Sequence, residues 1–237
     1  MSQETNTIKP LHNYHDLSDL FVQNERMVRD FDQNSVETIG KGSFGHVVKA
    51  RHVVDEKVYA IKIIEITGNE SELWEAYMKR IREVKVWARL DADHFVQYRS
   101  SWLECAGSHD STSRCPMSYT LYIQMDLCWF TLKEAIRKMR THFVRQPKQC
   151  WPELGAYMAG ELLVEILEAI CVLHALNPPI VHRDIKPRNV LIKGGPGARF
   201  VKLTDFGEAV EHKRETGLYR VFVKEVRVVS ALPCCEG

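Results

Sequence analysis

Two short acidic motifs in the second half of the chain constrain its fold more than any other feature. The first is His182-Arg183-Asp184, which Asn189 follows five residues later, and the second is Asp205-Phe206-Gly207, which begins sixteen residues after Asn189. Carboxylate and amide oxygens are hard ligands that suit Mg²⁺ and the phosphates that Mg²⁺ accompanies. The spacing therefore predicts a fold that brings both motifs to one phosphate-handling site.

The segment between the two motifs has the pattern of a β-hairpin. Val190–Ile192 and Phe200–Leu203 are short strand-like runs, and Gly194-Gly195-Pro196-Gly197 between them is a turn signal. We expect this hairpin to hold the acidic residues that lie on either side of it.

Five polar residues in and between the two motifs have a predicted role. Asp184 would accept or orient the proton of a substrate hydroxyl, and Lys186 would place a cation beside a transferred phosphoryl group. Asn189 and Asp205 are the predicted Mg²⁺ ligands. His182 is predicted to be a packed structural histidine rather than an acid or a base.

A glycine-rich segment upstream is a second candidate phosphate site. Its glycines stand where a strand–turn–strand must bring backbone N–H groups close to a phosphate, since a Cβ would block the approach. On its own this segment also fits an ordinary glycine turn or a dinucleotide motif, but the residues after it are β rather than helical, which disfavours the dinucleotide fold. The predicted nucleotide-contacting residues here are Ile39, Gly40, Lys41, Gly42, Ser43, Phe44, Gly45 and Val47.

Lys62 extends the predicted nucleotide site onto a neighbouring strand. Val58–Lys62 has a strand pattern, so Ala60 and Lys62 share one face because side chains alternate. That face suits a flat base against Ala60 and a phosphate against Lys62, whereas a lone lysine of this kind is otherwise a solvated edge-strand residue. Glu83, on a predicted helix, is the expected anionic partner of Lys62, and Glu75 is the alternative.

The order of apolar patterns predicts an α+β chain. Strand-like alternation dominates the first half, including a run at Phe95–Leu103, apart from one amphipathic helix around Leu73–Ala88. Helical patterns dominate after Met125, and Thr131 and Glu134 have capping-box spacing ahead of the first of these helices. The predicted segments are a polar leader at 1–33, an antiparallel β lobe with one helix at 34–125, a helical lobe at 126–211 and a tail at 212–237.

Two further helical patterns differ in length. A short one covers Asp16–Arg29 in the leader. The strongest stripe of the chain includes Leu162, Ile166 and Leu173, and it predicts a long helix that is buried along one face and ends before Pro178-Pro179.

Composition argues against several classes of protein. The 32 basic and 31 acidic side chains give a net charge of +1, which disfavours a broad surface for nucleic acid or for an anionic membrane. No apolar run approaches the roughly 20 residues of a membrane-spanning helix, and Met1–Asn6 lacks the features of a signal peptide. Seven scattered cysteines are typical of free thiols in a reducing compartment. We expect a cytoplasmic protein.

A metal site built from cysteine is a weaker alternative. Cys105, His109 and Cys115 lie close together in sequence, but a structural zinc site requires four ligands at tighter spacing. Cys115 precedes Pro116, a dipeptide that can supply an axial haem ligand, and no second ligand accompanies it in the sequence pattern. The preferred interpretation is an ordinary polar loop.

Taken in order, these motifs resemble those of the eukaryotic protein kinase superfamily over roughly Ser35–Glu211. The matching elements are the glycine-rich segment, Lys62, Glu83, Asp184, Asn189 and Asp205. The resemblance implies ATP and Mg²⁺ as cofactors and a protein substrate whose hydroxyl is phosphorylated. Lys186 is similar to the serine/threonine pattern of the catalytic loop, so the resemblance implies serine/threonine specificity.

Within the superfamily, Leu121–Cys128 resembles the hinge strand of the stress-activated kinases of the translation initiation factor 2 alpha subunit. This resemblance implies that Met125 is the gatekeeper, and that Asp126 and Cys128 follow it in the adenine site, with Cys128 meeting adenine through its backbone. It also implies homodimers or heterodimers formed through the first lobe. Cell-cycle kinases related to the mitotic inhibitor kinase share parts of this hinge and are the alternative subfamily.

The region after Gly207 departs from the family pattern. A complete kinase continues into an activation segment that ends in Ala-Pro-Glu and then into supporting helices, whereas 30 residues follow Gly207 here and 212–237 is unlike the family. The expected fold is therefore two-lobed and kinase-like, with a C-terminally truncated, incomplete helical lobe. A nucleotide-binding regulatory module without turnover and a non-functional fragment are the alternative interpretations.

Overall fold

The computed structural model describes residues 22–42, 45–105, 118–143, 152–193 and 199–212. The chain divides into two compact units. The first is drawn from Met1–Lys57, Ile61–Arg80 and Ser100–Ile123, and the second from Val58–Ala60, Ile81–Arg99 and Gln124–Gly237. Within the described residues, no helix has both the length and the apolar character needed to span a bilayer.

A five-stranded sheet with the order β1-β2-β3-β5-β4 provides most of the first unit. Its strands are β1 (Phe31–Gly42), β2 (Gly45–His52), β3 (Val58–Thr67), β4 (Tyr98–Cys105) and β5 (Ser118–Asp126). The β-branched residues of β3 give the sheet its core, since Ile61, Ile64 and Ile66 are all buried. Strands β1 and β2 pair antiparallel through the glycine-rich segment. The predicted α+β class with an antiparallel sheet is confirmed.

The beginning of the described chain lies along β4 rather than forming one long helix. Helix α1 is confined to Arg26–Asp30. Val22 instead forms a parallel bridge with Leu103, and the N–H of Gln23 donates to the Leu103 carbonyl at 2.8 Å. The predicted helix over 16–29 is therefore wrong for Val22 and Gln23, because pairing with the sheet edge satisfies their backbone groups, and residues 16–21 lie outside the described part.

Helix α2 (Glu70–Trp87) begins with a reciprocal cap supplied by Asn69. The side-chain oxygen of Asn69 accepts from the N–H of Glu72 at 3.1 Å, and the Glu72 carboxylate accepts from the N–H of Asn69 at 3.0 Å. These contacts satisfy two of the N–H groups that a helix start leaves without intrahelical partners. The predicted helix is confirmed, and Asn69 is its cap.

The second unit contains α3 (Leu132–Phe143), which starts with the capping box predicted from the sequence. The N–H of Thr131 donates to the Glu134 carboxylate at 2.8 Å, and the N–H of Glu134 donates to the Thr131 hydroxyl oxygen at 3.2 Å. The first of these contacts is the main reason that the pKa of Glu134 lies below its usual value. Glu134 is therefore ionised at neutral pH, as the N-terminus of a helix favours.

Helix α4 (Glu153–Ala175) has apolar residues on two opposite faces. Ile166, Ala169 and Leu173 are buried, in agreement with the predicted buried stripe. Tyr157, Val164 and Leu167 are more than half exposed and lie roughly 125–175° around the helix from the centre of the buried stripe, at 100° per residue. Leu167, an apolar residue directly after the buried Ile166, therefore lies on the exposed face, because apolar periodicity alone cannot decide which apolar side of a helix packs.

Short strands shape the rest of the second unit. They are β6 (Phe130–Thr131), β7 (Ile180–Val181), β8 (Val190–Ile192), β9 (Val201–Leu203) and β10 (Val210–Glu211). One sheet has the order β6-β8-β9, and β10 pairs antiparallel with β7. The predicted hairpin is confirmed by the antiparallel pairing of β8 with β9. Its turn at 194–197 lies outside the described residues.

Phe95 belongs to this second unit rather than to β4. The predicted strand at 95–103 begins only at Tyr98. Phe95 forms an isolated parallel bridge to Leu203, the N–H of Val96 donates to the Leu203 carbonyl at 3.0 Å, and the N–H of Leu203 donates to the His94 carbonyl at 2.9 Å. These tertiary contacts take Phe95 and Val96 out of the strand that their local pattern favours.

Candidate active site

The loop that follows β7 brings two predicted site residues, Lys186 and Asn189, to the carboxylate of a third, Asp184. Asn189 donates from Nδ2 to Oδ2 of Asp184 at 2.9 Å and to the Asp184 backbone carbonyl at 3.0 Å. Lys186 Nζ lies 2.6 Å from the same Oδ2. Both donors contact Oδ2, and Oδ1 of Asp184 accepts no hydrogen bond from another described residue. The carboxylate is about one third exposed and has one oxygen available to an incoming donor.

His182 is held as a neutral ring beneath this loop. Its Nε2–H donates to the Thr204 carbonyl at 3.1 Å, and its Nδ1 accepts from the N–H of Asp184 at 3.3 Å. Burial lowers the pKa of His182 below its usual value. With both nitrogens engaged by backbone groups and 3% exposure, His182 positions Asp184 and is unsuited to exchanging protons with a substrate.

Both acidic motifs contain a residue in the left-handed backbone region. Arg183 has a φ of 66° and Asp205 a φ of 67°. Such conformations cost about 1–3 kcal/mol for residues other than glycine and persist where the surrounding structure enforces them. Here they turn the chain at Arg183, directly before the predicted base, and at Asp205, the predicted metal ligand.

Phe206 anchors the second motif in an aromatic cluster. Its ring centroid lies 5.0 Å from that of His182, 5.8 Å from that of Trp87 and 5.9 Å from that of Phe95. Phe206 is 1% exposed. The cluster links α2 to both acidic motifs, because Trp87 ends α2 and His182 belongs to the first motif.

Glu83 lies in the second unit, beside the second motif. It is buried, and its Oε2 is 3.4 Å from the position that a Cβ on Gly207 would occupy. The Asp205 carboxylate is 3.6 Å from the same position. A Cβ at position 207 would therefore make ordinary van der Waals contacts with two carboxylates. Lys62 lies in the first unit, and its pairing with Glu83 stays a prediction.

The glycines of the glycine-rich segment are of two kinds: packing requires one of them and does not require the others. Gly45 has a φ of 141°, and a Cβ there would lie 2.1 Å from the Ile63 carbonyl oxygen, so the first unit itself requires glycine. A Cβ on Gly40 or Gly42 would meet nothing closer than 3.8 Å or 3.7 Å. The described residues thus give no internal reason for glycine at 40 and 42, as expected if those positions face a ligand. Ser43 and Phe44 lie outside the described residues.

The other predicted nucleotide contacts of the first half of the chain fall on β1, β2 and β3. On β1 and β2, Ile39 is exposed and pairing places Gly40 opposite Val47 and Lys41 opposite His46. On β3, Ala60 is buried and Lys62 is half-buried. These positions match the predicted alternation, in which a small buried residue and a lysine two positions later share one side of the strand.

The end of β5 differs from the sequence expectation in one respect. Met125 is buried, and burial raises the pKa of the Cys128 thiol to about 11, so this thiol is protonated at neutral pH. The Asp126 carboxylate pairs with Arg99 and Lys193, at 2.6 Å and 2.5 Å. The Asp126 side chain is therefore committed within the protein, which leaves only its backbone carbonyl for a nucleotide base. Nothing in the local sequence pattern signals these two partners.

The second unit offers a donor set that fits Mg²⁺. Because Asn189 directs Nδ2 to Asp184, its Oδ1 is the amide atom left for a cation. The Asn189 carbonyl accepts from the N–H of Thr204 at 3.1 Å, and Val190 pairs with Leu203. The hairpin therefore aligns Asn189 with the residue directly before Asp205 and supplies an amide oxygen and a carboxylate. Of the cysteine-based alternative, His109 and Cys115 lie outside the described residues.

Comparison with known proteins agrees with this geometry. The protein kinase domain family matches residues 33–228. The interferon-induced, double-stranded RNA-activated protein kinase of Rattus norvegicus is 31% identical over 81% of this chain and 34% of its own length. The eIF-2-alpha kinase GCN2 of Arabidopsis thaliana is 27% identical over 79% of this chain and 16% of its own.

A third relative is the serine/threonine-protein kinase TAO2 of Homo sapiens, which is 31% identical over 82% of this chain and 13% of its own length. The chain thus spans about a third or less of the length of these curated relatives.

Proposed function

This chain belongs to the protein kinase family, and we propose that it transfers a phosphoryl group from ATP to serine or threonine hydroxyls of a protein. The observation that carries this proposal is the Asp184 carboxylate, whose Oδ2 is held by Asn189 and Lys186 while Oδ1 accepts from no other described residue. A general base has to offer one oriented lone pair to the hydroxyl that it deprotonates.

The proposed chemistry uses the two oxygens of Asp184 differently. Oδ1 receives the proton of the substrate hydroxyl as the hydroxyl oxygen forms its new bond to phosphorus and the bond to the ADP oxygen breaks. Lys186, held 2.6 Å from Oδ2, places its positive charge where negative charge develops on the transferred group. Asn189 keeps the carboxylate in this orientation through its Nδ2 contact.

Other residues would bind Mg-ATP, which supplies the phosphoryl group when bound. We assign Gly40, Gly42 and Lys62 to the phosphates. Packing within the described residues does not require glycine at 40 or 42, so close approach of a phosphate to the backbone is the proposed reason for it. Lys62 lies on β3. Asn189 and Asp205 are the proposed Mg²⁺ ligands, and Glu83 is the proposed partner of Lys62. Ile39, Val47, Ala60, Met125 and the backbone at Asp126 and Cys128 are the proposed contacts of the base.

The proposed protein substrate is the translation initiation factor 2 alpha subunit. The supporting observations are the hinge sequence Leu121–Cys128 and the similarity to a relative whose name states that it is an eIF-2-alpha kinase. Phosphorylation of this subunit should exceed phosphorylation of a generic basic peptide at equal concentration. Equal rates on both, or a preference for tyrosine, would contradict the substrate assignment. A dimer through the first unit is part of the same proposal.

The test of the catalytic assignment compares the wild-type chain with two variants. Asp184→Asn should bind Mg-ATP and lose turnover, whereas Lys62→Ala should lose binding. In thermal unfolding, Mg-ATP at about 100 times its dissociation constant should add roughly 2.7 kcal/mol to the stability of the wild type and of Asp184→Asn. Transfer of labelled phosphate by Asp184→Asn at the wild-type rate would refute the role of Asp184.

A further inference from the structure

One acidic side chain in the second unit contacts two cationic side chains that are distant from it in sequence. Asp126 ends β5, and its Oδ1 accepts from Arg99 Nε of β4 at 2.6 Å. Its Oδ2 accepts from Nζ of Lys193, the residue after β8, at 2.5 Å. We call these three residues the Asp126 clamp. Its carboxylate is the most buried member, with 13% exposure against 48% for Arg99 and 35% for Lys193.

Backbone contacts fix the same stretch of chain at further points. The N–H of Asp126 donates to the Gln97 carbonyl at 3.0 Å, and the N–H of Trp129 donates to the Ile192 carbonyl at 2.8 Å. Phe130 pairs with Ile192 across the antiparallel β6–β8 ladder. The clamp thus acts at the start of the segment 126–129, which lies between the end of β5 and the start of β6 and is not part of a continuous strand.

Electrostatics agree with a formed clamp. Burial of Asp126 acts to raise its pKa, but hydrogen bonds and charges from Arg99 and Lys193 outweigh it and hold the pKa below its usual value. The carboxylate is therefore ionised at neutral pH. A buried carboxylate is costly without its cationic partners. Conversely, removing the charge of Asp126 would leave the cations of Arg99 and Lys193 without their shared anion.

We propose that Asp126 is a positioning residue, whose clamp on Arg99 and Lys193 sets the backbone of 126–129 for binding a nucleotide base. The inference rests on the proposed function, because the base contacts belong to the proposed nucleotide site. It assigns to the Asp126 side chain a role distinct from ligand contact. Lys193 directly follows β8, the strand that begins after Asn189, so the clamp links the base-binding backbone to the hairpin of the proposed metal ligand.

The experiment compares Asp126→Asn, which keeps the shape and removes the charge, with Asp126→Glu, which keeps the charge. Steady-state kinetics of the full chain should show a rise of about 5- to 10-fold in KM for ATP in Asp126→Asn, with kcat within about twofold of wild type and partial recovery in Asp126→Glu. Glu153→Gln, an exposed carboxylate change at the start of α4, should match wild type. A fall in kcat without a change in KM would overturn the proposal.

A second measurement on the nucleotide-free chain separates this inference from the proposed function. Amide hydrogen exchange, resolved by residue, should speed up about tenfold at Trp129 in Asp126→Asn and stay unchanged at Leu173 in the core of α4. This result supports the clamp even if no nucleotide binds to the chain, which would by itself contradict the proposed function. Unchanged exchange at Trp129, or equal acceleration at Leu173, would overturn the clamp as a local positioning device.

Discussion

The side-chain amide of Asn189 donates to Oδ2 of Asp184 at 2.9 Å, so the predicted metal ligand also orients the predicted base. The same residue uses its backbone carbonyl to accept from Thr204, directly before Asp205. One short loop therefore couples the two acidic motifs through Asn189, and a change at this position should disturb both chemistry and folding.

Replacing Asn189 by alanine tests this dual role. The Asp184 carbonyl and carboxylate would each lose a donor, and we expect a loss of stability of about 1–3 kcal/mol because Asn189 is buried. Phosphotransfer should fall by on the order of 100-fold, as the base loses its orientation. Urea unfolding and an ATP-dependent transfer assay measure the two effects. Asn34→Ala, at an exposed position of β1, is the matched control, and equal behaviour of the two variants would contradict the coupling.

Gly45 and Gly42 should respond differently to alanine. A Cβ on Gly45 would lie 2.1 Å from the Ile63 carbonyl at a φ of 141°, so Gly45→Ala should lower the free energy of unfolding by on the order of 3–5 kcal/mol. Gly42 lies outside the left-handed region and has room, so Gly42→Ala should change stability by about 1 kcal/mol or less while weakening Mg-ATP binding. Chemical unfolding and nucleotide titration distinguish them, and a stable Gly45→Ala chain would contradict the close approach to β3.

The pH dependence of stability should carry a component from His182. The pKa of His182 in the folded chain lies below its unfolded value of about 6.5, so on acidification the unfolded chain binds a proton at this ring before the folded chain does. Stability should therefore fall as pH drops below about 6.5, with a slope of up to about 1.4 kcal/mol per pH unit until the folded pKa is reached. Urea titrations of wild type and His182→Gln between pH 5 and 8 test this. The difference between their slopes should vanish above pH 7.5, and a pH-independent difference would argue against a neutral buried ring.

The capping box of α3 offers a matched pair of variants. Glu134→Ala should cost about 1 kcal/mol, because the N–H of Thr131 loses its acceptor, whereas Glu134→Gln keeps an acceptor oxygen and should cost less. Since the folded pKa of Glu134 is lowered, its contribution is present above the unfolded pKa and is lost as pH falls through the folded one. Thermal unfolding at pH 7 and in mild acid measures both differences. Equal stability of the wild type and the Ala variant would show that the Glu134 cap contributes nothing.

Local patterns predicted the elements that depend on local physics. The β8–β9 hairpin follows from its strand propensity and turn residues, and the cap of α3 follows from the Thr131 and Glu134 spacing. The Asp126 clamp could not be predicted in this way, since Arg99 and Lys193 are 27 and 67 residues from Asp126 in sequence. Periodicity likewise could not choose which apolar side of α4 is buried, because both sides carry an apolar stripe.

The same limit applies to the candidate site. Motif spacing identified Asp184, Asn189 and Asp205, and the structure brings Asp184 and Asn189 into direct contact and aligns Asn189 with Thr204. The sequence did not indicate that Asp205 has a left-handed backbone, because non-glycine residues adopt it only under tertiary constraint. The roles of these residues stay predictions until the variants above are measured.

The second apolar face of α4 has a consequence for the handling of the purified protein. Tyr157, Val164 and Leu167 present water with an apolar stripe that the described residues leave exposed. Sulfate and phosphate strengthen the tendency of such surfaces to leave water, since these ions are excluded from protein surfaces. Solubility should therefore decrease steeply with added ammonium sulfate, and low-salt buffers with mild non-ionic detergent should keep the chain dispersed.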